Sequence, residues 1–174
     1  MWTIGHSTRS LDELLVLLQT HGIEAVADVR RFPGSRRSPQ FERTRLASGL
    51  GRCGLAYRWL PALGGRRAPA PDSPNDAWRS PAFRGYADYM NTAAFAEGWG
   101  ELVNLACGLR TAILCAEAVW WRCHRGLLAD LFAWQGFEVR HILGPGAATA
   151  HPYTAAAGVL NGRLSYATGA RPLR

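Results

Sequence analysis

The sequence predicts one α/β domain, a mostly parallel sheet of about five strands with helices on both faces. Two observations predict it. Short apolar, strand-like runs alternate with amphipathic helical patterns along most of the chain, the order that a parallel sheet with crossover helices requires. In addition, 174 residues with 48% hydrophobic and 19% charged side chains suit a single domain with a sizeable core and argue against disorder. Residues 1–174 are therefore read as one domain.

"WTIGHS" opens with a first strand ending near Gly5. "SLDELLVLLQTHG" follows as a helix, with Ser10 and Glu13 as a capping box, leucines at 11, 14, 15 and 18, and Gly22 to close it. "IEAVADVR" is a second strand, stopped by the turn-forming "FPGSRRSP". Residues 42–52 suit a short helix, and "LAYRWL" a third strand. Residues 66–82, rich in Pro, Ala, Arg and Asp, read as an irregular excursion. "GYADYMNTAAFAEGWGELVNLACG" reads as two helices split near Asn91-Thr92. "RTAILC" is a fourth strand, "RCHRGLLADLFAWQG" a helix closed by Gly136, and "FEVRHIL" a fifth strand. The segment 144–174 is Gly/Ala/Pro-rich and receives no assignment.

In an open parallel sheet, ligands bind beyond the carboxyl ends of the strands. Here the strand ends carry the chemistry. The first is followed by His6 and Ser7, the second by Asp28 and Arg30, and the fourth by Cys115 and Glu117, with Cys123, His124 and Arg125 close behind. Cys115 would lie before a helix N-terminus, where backbone N–H groups lower a thiol's pKa and hold anions. Glu117 has the chemistry of a general acid or base. Cys123 and His124, read as the first turn of the helix, would point about 100° apart, so one would face a pocket and the other pack. His21 and His141 read as structural. Trp120 offers a flat face for stacking or a lid over the core.

The net charge is +7, and all 20 basic side chains are arginine. Seven of them (Arg30, Arg31, Arg36, Arg37, Arg43, Arg45, Arg52) lie between positions 30 and 52 against one acid, Glu42. Guanidinium forks suit phosphate and carboxylate, so an anionic partner is expected, DNA or RNA above all. No apolar run reaches the roughly 18 residues that would span a bilayer. The N-terminus lacks the basic stretch and apolar core of a secretory signal. A cytoplasmic, reducing location and four free thiols are the expectation. A metal site would draw on His6, Cys115, Glu117 and one of Cys123 and His124, but no C-x-x-C pair supports it, and no cofactor is expected.

Taken together, "TIGHS" at 3–7, "DVR" at 28–30, "PGSRR" at 33–37, "QF" at 40–41, "LGG" at 63–65, "FRGYADYM" at 83–90, "CAE" at 115–117 and "CHR" at 123–125 resemble a family known as domain of unknown function 488. "HPYT" at 151–154 and "GRLSY" at 162–166 fit its C-terminal pattern. The resemblance implies a single α/β domain and a site near the Cys/His motifs, and supplies no reaction. A looser likeness is to rhodanese-type domains, in which a "DVR" strand precedes a strand ending in a nucleophilic cysteine. It implies rhodanese-like or Rossmann-like layering, Cys115 as nucleophile, and sulfur or phosphoryl transfer. The loop here carries Glu117 and two tryptophans in place of a compact Gly/Ser cradle.

The expectation is an enzyme binding an anionic substrate, nucleic acid or a nucleotide-like fragment. Cys115, Glu117, His124 and His6 would be catalytic. Ser7, Asp28, Arg30, Arg36, Arg37, Tyr86, Trp120, Cys123 and Arg125 would bind substrate. A non-catalytic nucleic-acid-binding module is the alternative from another class.

Overall fold

The computed structural model describes residues 1–34 and 36–173. Its elements run β1 (Trp2–Gly5), α1 (Leu11–Thr20), β2 (Ala25–Asp28), α2 (Arg43–Arg52), β3 (Ala56–Trp59), α3 (Pro81–Tyr89), α4 (Ala93–Gly108), β4 (Thr111–Cys115), α5 (Arg125–Trp134), β5 (Arg140–Ile142), β6 (Thr149–Ala150), β7 (Gly158–Leu160), β8 (Arg163–Ser165) and β9 (Arg171–Pro172). Six strands form one sheet in the order β3-β2-β4-β1-β5-β6. Every pairing among β1–β5 is parallel, and β6 runs antiparallel to β5. The α/β class and the five parallel strands are as the alternating pattern predicts.

Side-chain alternation along the central strand β4 divides two cores. Ala112 and Leu114 join Ile4 and Val26 against Leu14, Leu17 and Leu18 of α1 and Leu46 and Leu50 of α2. Ile113 and Cys115 face the other way, toward Tyr86 of α3, Phe95, Trp99 and Leu102 of α4, and Leu127, Leu128 and Phe132 of α5. Full burial of a Leu or Phe side chain contributes about 1.5–3 kcal/mol, so both faces of the sheet are anchored. The capping box at the start of α1 forms, with Glu13 Nα–H donating to Ser10 Oγ and the Ser10 N–H to the Glu13 carboxylate.

Three regions differ from, or add to, the sequence pattern. The helix after β4 begins only at Arg125. His124 is its N-cap, and Cys123 has extended backbone (φ −138°, ψ 147°). The excursion 66–82 contains no strand, and a helix begins only at Pro81. It is tied down by the Asp88 carboxylate, which accepts from the Ala70 N–H, Ser73 Oγ and Asn75 Nδ2. The segment after 144 adds β6 and a separate antiparallel sheet in the order β8-β7-β9. The Tyr166 carbonyl accepts from the Ala77 N–H (3.0 Å), which joins that small sheet to the excursion. No described helix is long and apolar enough to cross a membrane.

Candidate active site

Parallel pairing brings the carboxyl ends of β1, β2 and β4 to one edge, with Gly5 opposite Cys115 and Asp28 opposite Leu114. The backbone extends this pairing past the strands: the His6 N–H donates to the Cys115 carbonyl and the Ser7 N–H to that of Ala116, both at 2.9 Å. At this edge lies a cavity of about 320 Å³, walled by Arg30, Arg31, Phe32, Gly65, Arg66, Ala82, Phe83, Tyr86, Cys115, Ala116, Glu117, Arg122, Cys123 and His124. Four guanidinium groups and one carboxylate make it an electropositive pocket. Three aromatic rings give it flat apolar surface.

Two close approaches build the floor, and both require glycine. A methyl group on Gly5 would overlap the Glu117 carbonyl and meet the Arg125 guanidinium. One on Gly65 would sit 2.9 Å from His124 Nδ1. The Tyr86 hydroxyl donates to the Leu63 carbonyl at 2.7 Å, and its ring lies 4.9 Å from that of His124. Tyr86 thereby braces the turn at 63–65 against the histidine, and burial pushes its hydroxyl well above the ordinary range.

The chemistry centres on the two buried cysteines. The Cys115 and Cys123 sulfurs and a His124 ring nitrogen all lie within 4.8 Å of one another. Around Cys123 Sγ stand His124 Nδ1 at 3.7 Å and Arg125 Nε at 3.4 Å. Burial works against ionisation of Cys123, but the hydrogen bond from the Cys115 thiol, the His124 ring and the Arg125 guanidinium together hold it well below the ordinary thiol range. Cys115 is held well above that range, first by donating its hydrogen to Cys123 and then by burial. Ionisation is thus favoured at Cys123 over Cys115. His124 Nε2 is buried without a hydrogen-bond partner among the described residues.

Arg125 explains why that charge is tolerated. The residue is 1% exposed, and its other donors go to the Glu117 and Ala118 carbonyls and to Thr3 Oγ1. Among the described residues no carboxylate pairs with it, and a thiolate at Cys123, whose Sγ accepts from Arg125 Nε, would be its counter-charge. A buried cation without an anion would be strongly unfavourable.

Behind Arg125 runs a chain of buried polar groups. Thr3 Oγ1 lies 2.7 Å from His141 Nδ1, His141 Nε2 2.9 Å from His151 Nδ1, and His151 Nε2 2.9 Å from Asp130 Oδ1. Asp130 also accepts from the Thr154 N–H, the Thr154 hydroxyl and the Tyr166 hydroxyl. With Asp130 ionised, each proton points the same way, from Arg125 through Thr3, His141 and His151 to the carboxylate.

Several expected site residues stand elsewhere. His6 is not on the cavity wall; it stacks on Phe41 at 4.2 Å, with Nδ1 donating to the Ser7 carbonyl (3.0 Å) and Nε2 facing Arg30 (3.3 Å). Ser7, off the wall, takes a left-handed turn (φ 49°). Asp28 is fully buried and spent on Arg30 and the Tyr57 hydroxyl. Arg30 reaches the wall with its guanidinium fixed by that pairing and by the Phe41 carbonyl. Arg36 and Arg37 are exposed and outside the cavity wall. Trp120 is stacked on His141 at 4.5 Å, so one face is already covered. Arg125, expected to hold phosphate, points inward. The Glu117 carboxylate is exposed on the wall and makes no hydrogen bond with a described residue.

The expected division between Cys123 and His124 is corrected: both line the cavity. The 100° rule applies within a helix, and neither residue is inside one. Sequence reasoning also missed the cavity roles of Arg66, Arg122 and Phe83 and the chain from Thr3 to Asp130. "HPYT" and "GRLSY", which supply His151, Thr154 and Tyr166, were the signal for the latter.

Cys115, Cys123 and His124 are the donor set close enough to share a metal ion among the described residues; His6 and Glu117 are not in it. The surrounding guanidinium groups, and Arg125 on Cys123 Sγ, oppose a divalent cation there.

Burial, and then the Arg30 charge, lower the His6 pKa to about 4; burial, and then His151, lower that of His141 to about 3. In the unfolded chain both imidazoles protonate below about pH 6.5. Between those values the unfolded state holds more protons, so stability is expected to fall as pH drops from about 6.5 toward 4. Denaturant titrations at successive pH values read this directly. A flat profile over that interval would mean that the two rings take up protons inside the fold.

Fold and site define an α/β protein with a mostly parallel sheet and an arginine-walled cavity over two neighbouring buried cysteines. The chain belongs to the family described as domain of unknown function DUF488, whose model matches residues 10–132. The match includes Cys115, Glu117, Cys123, His124, Arg125 and Asp130, and leaves out His6, His151, Thr154 and Tyr166. No curated protein and no solved structure matches the chain.

Proposed function

We propose that this chain is a thiol-dependent enzyme whose cavity takes a small, flat anionic substrate, a nucleotide-like fragment or the end of a nucleic-acid strand. The observation that supports it is the buried Cys123 sulfur, met by Arg125 Nε and His124 Nδ1 and within 4.8 Å of Cys115 Sγ, in a pocket walled by arginines. A cavity of about 320 Å³ suits a small ligand rather than a duplex. Arg30, Arg31, Arg66 and Arg122 hold the anionic group, and Phe32, Phe83 and Tyr86 flank its flat part. Cys123 is the nucleophile, the position that the rhodanese likeness would give to Cys115. His124 orients the thiolate through Nδ1, and Glu117 at the wall is the general acid or base. His6 and Asp28 act indirectly, by fixing Arg30. A reducing, cytoplasmic setting suits such a site, because both thiols must stay free.

Alkylation tests the reading. In a Cys53→Ser/Cys107→Ser background, which removes the two exposed thiols, iodoacetate is expected to label Cys123 and spare Cys115. It should do so at about pH 6, where an ordinary thiol near 8.5 is almost wholly protonated. The anionic reagent should outpace neutral iodoacetamide, and a nucleoside monophosphate should protect. Labelling that follows an ordinary thiol titration, or that strikes Cys115 first, overturns it. A stoichiometric metal ion lost on Cys123→Ser would make the cluster a metal centre instead. Single-stranded nucleic-acid binding that survives Cys123→Ser, with no labelling preference, would make the chain a binding module.

A further inference from the structure

We infer that Cys115 is the resolving partner of Cys123, so that the pocket is a two-thiol redox site able to reduce an anionic disulfide. The inference rests on the reading of Cys123 as nucleophile and goes beyond it by giving the second buried thiol a chemical task. Both sulfurs open onto one cavity, Cys115 from the end of β4 and Cys123 from the residue before the N-cap of α5, and they lie within 4.8 Å of each other. The other two cysteines are exposed and are not on the cavity wall. A nucleophilic thiol with a second thiol in reach is the arrangement by which a mixed disulfide is resolved within one chain.

The electron balance is as follows. The Cys123 thiolate attacks one sulfur of the bound disulfide; the S–S bond breaks and its electron pair leaves on the first thiolate. Cys123 is now neutral in a mixed disulfide. The neighbouring negative charge that kept Cys115 protonated is gone, whereas the Arg125 guanidinium remains. Cys115 then gives up its proton to the departing group and attacks Cys123 Sγ, expelling the second thiolate and closing a Cys115–Cys123 disulfide. Two electrons pass from the dithiol to the substrate, and a dithiol reductant returns the site to its starting state. The guanidinium walls favour a disulfide carrying carboxylate or phosphate groups.

The probe is dithiobis(nitrobenzoate), an anionic disulfide whose released thiolate is coloured, applied to the Cys53→Ser/Cys107→Ser protein. Two thionitrobenzoates are expected for each reagent molecule consumed, with a peptide link between Cys115 and Cys123 and the mass lower by two hydrogens. In a Cys115→Ser variant, or Cys115→Ala should the serine impair folding, one is released and the other stays on Cys123. A stable mixed disulfide on Cys123 in the parent overturns the inference and leaves the nucleophile reading standing. Equally fast reaction at Cys115 in a Cys123→Ser variant, or no release at all, overturns both.

Discussion

Arg125→Met is expected to lower stability by about 3–5 kcal/mol, the range seen when one partner of a buried ion pair is removed. It should also return Cys123 to the reactivity of an ordinary thiol. The side chain is 1% exposed and donates to Cys123 Sγ, Thr3 Oγ1 and the carbonyls of Glu117 and Ala118. Methionine fills much of the same volume but donates nothing. The two carbonyls lose a charged donor, and the thiolate loses the cation that makes its burial tolerable. Cys123 then protonates, which limits the loss but removes the nucleophile. Two measurements check this: the denaturation midpoint and the pH dependence of iodoacetate labelling at Cys123. A stability change within about 0.5 kcal/mol, typical of a surface substitution, with labelling unaltered, would show that Arg125 is not the counter-charge.

Asp130→Asn is expected to cost about 1.5–3 kcal/mol, the range for hydrogen bonds to a charged group, although the two side chains are nearly the same shape. The carboxylate is fully buried and meets only donors: His151 Nε2, the Thr154 N–H and hydroxyl, and the Tyr166 hydroxyl. Asparagine keeps an oxygen for His151 and the Thr154 N–H but turns its NH₂ group to the Thr154 and Tyr166 hydroxyls, which must reverse to accept and lose their charged acceptor. The substitution therefore loosens the attachment of the C-terminal segment, which supplies His151, Thr154 and Tyr166, to α5. Thermal or denaturant unfolding monitored by tryptophan fluorescence reads the effect, with Trp120 packed on His141 and His151 as a reporter close to the change. Wild-type stability in Asp130→Asn would mean that the charge of this carboxylate contributes nothing to holding the segment. The directional chain from Arg125 to Asp130 would then be wrong.

Much of the fold was legible because strands and helices leave periodic signatures. The capping box of Ser10 and Glu13, the split near Asn91-Thr92 and the apolar run ending at Cys115 all stand where their local patterns indicate. The start of α5 is not legible locally because "RCHRGLLADLF" is helix-compatible throughout, whereas the approach of Arg125 to Cys123 Sγ accompanies extended backbone at 123. The strands after 144 escaped because they are two or three residues long, too short for alternation to register.

The site was legible as a neighbourhood and not as a mechanism. Cys115, Glu117, Cys123 and His124 were singled out, and all four line the cavity. His6, Arg36, Arg37 and Trp120 were singled out for the same reasons, and they lie off its wall. The sequence by itself determined the alternation of strands and helices, and with it the single edge at which the chemistry collects. Tertiary structure alone decided which of those groups share one cavity, which thiol is the more acidic, and that Arg125 turns inward to meet it. Periodicity is a property of neighbours along the chain, whereas desolvation and Coulomb attraction depend on distances through space.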